Sequence, residues 1–364
     1  MEKWMQKKMG DCCESELGKT LDEGRNTGLY HPYLCALNVL WGKFDLSTIK
    51  QMRIEEVERE RYLVKKGDLL VCEGGEIGRC AIWENDDEIY YQNALHRVRF
   101  YKEYDAYFFM YLLCLYNDLK LIEQYGKGLT IKHLNQASFR SIPVCVPSLS
   151  TQRRIAAILS SADKVIASTQ KLIAKYKQMK QRLMEDLLKP KEGWKKVRLG
   201  ECLTIGNGQD YKHLQSGEIP VYGTGGVMTY VDDYLYEGET VCIGKKGTIN
   251  KPIFHVGKIW TVDTLFYTHS FIDVSPLFIY YVFCNIDWNK YNEATGVPSL
   301  SKETIYKIEI AVPFKNNKPD LNEQRRIASI LSGIDAKIAA EEKVLEKYEK
   351  VKKGLMERLL KTDL

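Results

Sequence analysis

The chain has 364 residues, enough for two or three domains with sizeable cores, which excludes a peptide-sized or disulfide-stapled fold. Hydrophobic residues make up 45% and charged residues 28%, close to the globular average, so neither a disordered nor a fibrous chain fits. The net charge is only +5, so a nucleic-acid partner would have to be met by local basic patches.

The start, Met1-Glu2-Lys3-Trp4, has no signal-peptide core. The longest uncharged apolar run, residues 106 to 116, is far short of the roughly 20 residues of a membrane span. A cytoplasmic protein with no membrane partner is expected. The ten cysteines include no C-x-x-C pair, and Cys12 and Cys13 are adjacent, a spacing unsuited to chelation. Cys72, Cys145 and Cys242 sit in apolar runs where a thiol acts as a small hydrophobe. Neither disulfides nor a structural metal is predicted.

Along the first 147 residues, strand-like runs such as 68 to 72 and 90 to 99 alternate with glycine turns, and a tyrosine-rich helical stretch follows at 107 to 116. Residues 152 to 189 then carry apolar residues at alternating spacings of three and four: Ile155, Ile158, Ala162, Val165, Thr169, Leu172, Tyr176, Met179 and Leu183. This is a coiled-coil seam, widened by Leu159, Ile166 and Ile173. Ser148 suits its N-cap, and Pro190 with Gly193 closes it. A second globular stretch, with strand-like runs at 239 to 243 and 258 to 262 and a helix at 277 to 284, leads to a second such helix from 324. Its seam is Ile327, Ile330, Ile334, Val344, Tyr348, Val351 and Leu355, with Lys337 and Glu341 as polar interruptions. Asp320 is its N-cap, backed by Glu323 at capping-box spacing. At about 1.5 Å per residue each helix is a rod of roughly 57 Å, a length suited to a spacer or a docking surface.

Comparing the chain with itself explains this alternation. Residues 152 to 189 align without a gap to 324 to 361, with 21 identities in 38 positions. Upstream the likeness is weaker: IPVCVP at 142 to 147 matches IEIAVP at 308 to 313, Leu134 parallels Leu300, and Val71-Cys72-Glu73-Gly74 parallels Val241-Cys242-Ile243-Gly244. Trp4 with Met9-Gly10-Asp11-Cys12 parallels Trp194 with Leu199-Gly200-Glu201-Cys202. The chain is two copies of one unit, each a diverged globular part followed by a closely matching helix.

Two diverged parts of about 150 residues, each ending in a Val-Pro strand (Val146-Pro147, Val312-Pro313) before Gln152-Arg153-Arg154-Ile155 or Gln324-Arg325-Arg326-Ile327, resemble the specificity subunit of type I restriction-modification systems. Leu183-Met184-Glu185 and Leu355-Met356-Glu357 at the rod ends fit as well, and the likeness spans the chain. The resemblance implies an α+β fold: two pseudo-symmetric mixed α/β target recognition domains (1–147 and 191–319) separated by a long antiparallel two-helix coiled coil (148–190 and 320–364). It also implies a non-catalytic subunit whose domains each read one half of a bipartite, asymmetric site on double-stranded DNA while the helices set the unread spacer. Two modification (methyltransferase) subunits would dock on the helices. The subunit itself would hold no cofactor: S-adenosylmethionine, ATP and Mg would sit on the modification and restriction (translocase/nuclease) subunits. The alternative is a coiled-coil protein-interaction scaffold.

Absent motifs agree with a binding subunit: there is no G-x-x-x-x-G-K-[ST] loop and no Asp/Asn-Pro-Pro-Tyr/Phe methyltransferase motif. Gly206-Asn207-Gly208 is too short for a dinucleotide fingerprint and reads as a turn. The first rod carries nine Lys/Arg against three Asp/Glu and the second ten against six, so the remainder of the chain sums to −5. Candidate phosphate contacts are Arg79, Lys127, Lys132 and His133 in the first domain, and Lys212, Lys245, Lys246 and Lys302 in the second. Gly126-Lys127-Gly128 and Gly244-Lys245-Lys246-Gly247 place charge on glycine-framed loops. For base readout the candidates are Arg25, Asn26, Tyr30 and His31, and Asn207, Gln209 and Tyr211; a solvated loop is the competing reading. The pairs Arg153-Arg154 and Arg325-Arg326 lie near helix N-termini, where the dipole disfavours cations, so an acidic partner is expected for them: a carboxylate of the adjoining domain or a modification subunit.

Overall fold

A computed structural model describes residues 4–22, 24–128 and 132–360. The chain divides into two compact units, one running up to Thr169 and resuming at Val344, the other comprising Gln170–Lys343. Two 40-residue helices, Leu149–Leu188 and Leu321–Leu360, contribute to both.

In the first unit the strand Met5–Lys8 pairs antiparallel with Pro143–Val146, which leads into the first long helix. Two four-stranded sheets follow. One has the order Lys50–Ile54, Leu29–Leu34, Ile89–Tyr91, Leu63–Val64; the other Cys13–Leu17, Leu95–Phe100, Leu69–Cys72, Cys80–Ile82. The expected strand at 90 to 99 is therefore two strands in different sheets, parted at Gln92–Ala94, because the Leu95 amide turns back onto the Gln92 carbonyl at 3.0 Å. The helix Ala106–Asp118, capped by Asp105, buries Phe108, Phe109 and Leu112 in one core with Leu69, Val71 and Val98.

The second unit pairs Trp194–Arg198 with Glu309–Lys315 and carries a six-stranded mixed sheet: Thr204–Asn207, Leu265–His269, Tyr236–Gly244, Ile253–Thr261, Ser216–Gly223, Gly226–Val231. The helix Pro276–Asn285 fills its core with Phe278, Ile279 and Phe283. Its hydrogen-bond frame repeats that of the first unit. Met9 and Leu199 donate their amides to the Ile142 and Ile308 carbonyls (2.8 and 3.0 Å), and Gly18 and Gly208 to those of Leu95 and Leu265 (3.1 and 3.2 Å). Gln92 and Val262 donate to Leu34 and Tyr222 (3.1 and 3.0 Å), and Leu134 and Leu300 to Glu73 and Lys245 (2.7 and 2.9 Å). This frame corrects the sequence alignment: Val71 corresponds to Ile243, since each pairs with the residue after the shared leucine, so the Val71/Val241 match is displaced by two positions. Gly206-Asn207-Gly208 is likewise no turn. Asn207 ends a strand, and a Cβ on Gly208 would lie 1.9 Å from the Val262 carbonyl oxygen, as one on Gly18 would lie 2.4 Å from those of Tyr91 and Gln92. Only glycine permits that strand crossing.

The helix heads carry the main structural device. Gln152 and Gln324 are buried. The Gln152 side-chain oxygen accepts from the Asp105 amide (2.9 Å), and its nitrogen donates to the Pro147 carbonyl (2.9 Å). Gln324 accepts from the Ser275 amide (2.9 Å) and donates to the Asp273 carbonyl (3.1 Å). Each glutamine thus fastens its helix to the N-terminus of the unit's core helix. Asp320 caps through the Asn322 and Glu323 amides (3.1 and 3.0 Å), but Glu323 does not complete a capping box. It is held instead by the Arg326 guanidinium in two 2.7 Å bonds.

Within each unit the two long helices meet antiparallel. In the second, Lys177 pairs with Glu342 (2.8 Å) and Lys180 with Asp335 (2.6 Å). In the first, Lys352 pairs with Asp163 (2.5 Å), and Ile155 and Leu159 join Met356 and Leu360 in one core. Tyr111 donates to Asp163 (2.6 Å) with Lys352 over its ring; Tyr281 donates to Asp335 (2.9 Å) with Lys180 over its ring. The seam is rotated from the expected one. Its buried centre runs through Ile155, Leu159, Thr169, Ile173 and Met184, and through Ile327, Leu331, Ile338 and Met356, while Ile158, Val165 and Met179 flank it and Val351 is 56% exposed. Lys337 is exposed rather than a seam interruption, because Ile338 takes its place.

Two outcomes follow from these contacts. Gln152→Leu preserves volume but strands a buried amide and a carbonyl, and lowers the stability of the first unit by about 2 kcal/mol; Gln324→Leu does the same in the second. Urea unfolding with a probe in each unit checks that each loss is local. Tyr111→Phe costs about 1 kcal/mol, and a double-mutant cycle with Lys352→Met returns a non-zero coupling.

Candidate nucleic-acid interface

At one edge of the first unit three connections meet: the turn at Cys35–Asn38, the loop between Cys72 and Cys80, and residues 126–128 with 132–134. Arg79 donates to the Ala36 carbonyl (2.8 Å) and to Glu76 (3.2 Å), which also accepts from the Trp41 indole (2.7 Å). Leu134 is bound to Glu73, Lys127 and His133 exchange backbone bonds of 2.9 and 2.8 Å, and the His133 ring lies 3.3 Å from where a Cβ on Gly74 would stand. Of the basic residues expected here, Lys127 and His133 are exposed, and Lys132 leans on Glu123 (3.2 Å to its carbonyl). Arg79 does not face outward as a phosphate contact. Its guanidinium is spent joining two of the loops, as its partly buried side chain requires.

The base-reading candidates Arg25, Asn26, Tyr30 and His31 are not part of this edge. Arg25 and Asn26 precede Leu29–Leu34 and Tyr30 and His31 lie in its first half, so all four stand about 10 Å or more, at strand rise, from the far end that leads into the Cys35 turn. Arg25 is exposed beside Asp22 (3.5 Å), and the Asn26 amide donates to the Thr20 carbonyl (2.9 Å). Tyr30 is exposed under the Arg53 guanidinium (4.9 Å), and His31 packs 5.1 Å from the Tyr90 ring. Arg53, on the neighbouring strand, was not singled out by sequence because only the pairing of Tyr30 with Arg53 brings them together.

The second unit has the same three-loop edge. Lys245 and Lys246 both donate amides to the Thr264 carbonyl (2.8 and 3.2 Å), and Gly247 to that of Pro298 (2.8 Å). Lys245 and Lys302 approach the Phe266 ring to 5.8 and 5.9 Å, and Asn207 is the sheet partner of Phe266. Asn207, Lys245 and Lys302 are thus brought together, with Lys246 on the same loop. Lys302 donates to the Ile205 carbonyl (2.7 Å), and burial together with Lys245 pushes its ammonium below the usual lysine range. Burial and Lys302 likewise lower the nearby His269. Gln209 is anchored by its backbone to Thr261 and to the Trp260 indole (2.9 Å each), Tyr211 is half-buried against the core of the outer strands, and Lys212 is exposed. The position of Lys245 is held by Glu73 in the first unit, that of Lys302 by Gln136, and that of Asn207 by Leu17.

The arginine pairs divide. Arg326 takes Glu323 of its own first turn, not a carboxylate of the adjoining domain, because a glutamate three residues earlier is favoured by the helix dipole and within reach. Arg153, Arg154 and Arg325 are exposed, and no ion pair forms to them among the described residues. Those residues hold no cluster of three or more His, Cys, Asp or Glu able to bind a metal, and no helix long and apolar enough to cross a membrane. Burial raises the thiols of Cys12 and Cys202 to about 11 and those of Cys13 and Cys242 to about 12, which leaves them protonated and inert at neutral pH.

The profile of the type I restriction modification DNA specificity domain matches twice, at residues 1–178 and 191–350. The chain is 26% identical over 300 residues to the type I restriction enzyme MjaVIII specificity subunit of Methanocaldococcus jannaschii, covering 68% of this chain and 69% of that one. With the putative MjaX specificity subunit of the same organism it shares 23% over 366 residues, 86% of this chain and 82% of the other. The S subunit of a type I restriction-modification system from M. genitalium has the same fold, with a TM-score of 0.69 at 18% identity over 100% of this chain and 97% of the other. Two matched domains covering most of the sequence place the chain in the type I restriction-modification DNA specificity family.

Proposed function

We propose that this chain is the non-catalytic, sequence-reading subunit of a type I restriction-modification complex, working in the cytoplasm, and that each globular unit reads one half of a bipartite target. The observation that carries this is a set of backbone bonds shared by both units around edges of different chemistry, with Glu73, Gln136 and Leu17 on one and Lys245, Lys302 and Asn207 on the other. One frame with two edges suits two unlike half-sites on a continuous duplex. Residues 1–147 and 191–319 read; residues 148–190 and 320–364 set the unread spacer and dock partners. Lys127, Lys132 and His133, and Lys245, Lys246 and Lys302, take phosphates, while Asn207 reaches a base edge. Arg25, Asn26, Tyr30 and His31 with Arg53, and Gln209, Tyr211 and Lys212, form flanking contacts. Arg79 supports the edge from within.

Two modification subunits dock on the helices and bring S-adenosylmethionine, and restriction subunits bring ATP and Mg. Arg153, Arg154 and Arg325, exposed and without an ion pair among the described residues, support an acidic docking surface on the modification subunits, since cations at helix N-termini gain most from a carboxylate partner.

Methylation mapping of host DNA with and without this chain tests the reading, and a bipartite motif with unlike halves is expected. A perfect palindrome, or no change in the methylome, would falsify it. Inserting seven residues after both Gln170 and Glu342 adds two turns, about 10 Å, and keeps the heptad phase. The mapped motif should then retain both halves with a spacer longer by about three base pairs. Insertion in one helix alone abolishes methylation. Retention of the original spacer by the double insertion would remove the ruler role.

A further inference from the structure

We propose that Leu37 is an apolar wedge that enters the duplex at the half-site read by the first unit and kinks it, and that Met228 does the same from the second unit. The inference rests on the DNA-reading function above. Leu37 is 77% exposed, yet it sits in a turn whose polar groups are fixed. Asn38 is buried; its side-chain oxygen accepts from the Cys35 amide (2.9 Å), and its nitrogen donates to the Asp45 and Thr48 carbonyls (2.9 Å each). The Asn38 amide returns to the Cys35 carbonyl (2.9 Å), and the Ala36 carbonyl is held by Arg79 (2.8 Å). A turn this constrained holds an isobutyl group out into solvent without collapse, at the three-loop edge that carries Lys127 and His133.

The second unit also exposes aliphatic side chains on the corresponding connection, which is a hairpin of unrelated sequence. The strand ending at Gly223 occupies the place of the one ending at Leu34, since Tyr222 and Leu34 accept the corresponding amides of Val262 and Gln92. After the two-residue turn Thr224–Gly225, Val227 is 46% and Met228 59% exposed. The Met228 sulfur lies 2.6 Å from where a Cβ on Gly223 would be, and the Thr224 hydroxyl 3.8 Å from that of Gly247 in the lysine loop. Both units thus expose an aliphatic side chain on the connection that follows the matched strand, Leu37 three residues beyond Leu34 and Met228 six beyond Tyr222, beside basic loops able to take the flanking phosphates. Aliphatic wedges at such sites part a base step and kink the duplex by about 20–90°. Leu29, comparably exposed, stands at the opposite end of its strand from this edge.

The test uses the full chain assembled with its modification subunits and an end-labelled duplex carrying the mapped target, with the bend read by energy transfer. The wild-type complex bends the duplex. Leu37→Ala and Met228→Ala each remove part of the bend and weaken specific binding about tenfold, the scale of one mismatched base pair, while nonspecific binding is unchanged; Leu37→Phe keeps the bend. A straight duplex in the wild-type complex, or a bend that both alanine variants leave intact, overturns the wedge, and a loss of affinity with the bend retained does so too. Failure of the wild-type complex to bind any mapped target would instead sink the DNA-reading function itself.

Discussion

The attachment of each globular unit to its long helix depends on two buried amides. Each globular unit must pass its orientation to a long helix through one short joint, and at that joint the chain needs to satisfy a peptide N–H and a peptide carbonyl at once. A carboxylate accepts only, and a lysine or arginine donates only. Glutamine does both with one planar group, long enough to reach from the first turn of the helix to the N-terminus of the core helix. Gln152 and Gln324 therefore act as welds rather than hinges, and the Tyr111–Asp163–Lys352 and Tyr281–Asp335–Lys180 triads brace the same joint about three turns further on.

The welds separate what must stay constant from what is free to vary. Close strand crossings at Gly18 and Gly208, and the amide bonds around Leu95 and Leu265, define a scaffold that tolerates little change. The loops outside it are tied partly by backbone bonds, which place few demands on side-chain identity, and partly by single side chains such as Arg79 and Asn38 in the first unit and Lys302 in the second. An acid stands at Glu73 where a base stands at Lys245, with the same carbonyl bonded beneath each. Recognition chemistry is thus free to diverge without disturbing the core.

Much of this was legible in the sequence, and the misses have physical reasons. The repeat, the two helices and the α+β units followed from self-comparison and periodicity. The phase of the seam did not, because a helix of 3.6 residues per turn drifts from a 3.5 repeat by about 20° per heptad, and over 40 residues Leu159 and Ile173 rotate to the centre while Val351 leaves it. The doubled arginines drew the eye, yet the glutamine before them, present in both copies, carried the structural role; a buried amide leaves no hydrophobic signature. Arg79 resembled a surface cation because one-dimensional spacing cannot show that a carbonyl of another loop is its partner. The grouping of Lys245 and Lys302 about Phe266 depends on strand register, which loop composition does not encode.

The triads also tie the two copies of the helix to each other. Asp163 and Lys180 lie on the first helix, Asp335 and Lys352 on the second, and every acid is matched by a lysine from the other copy. A substitution at Lys180 is felt by Asp335, and one at Lys352 by Asp163. A charge change in either helix therefore unbalances a residue contributed by the other copy, so the two rods act as one electrostatic unit although they lie far apart in the chain.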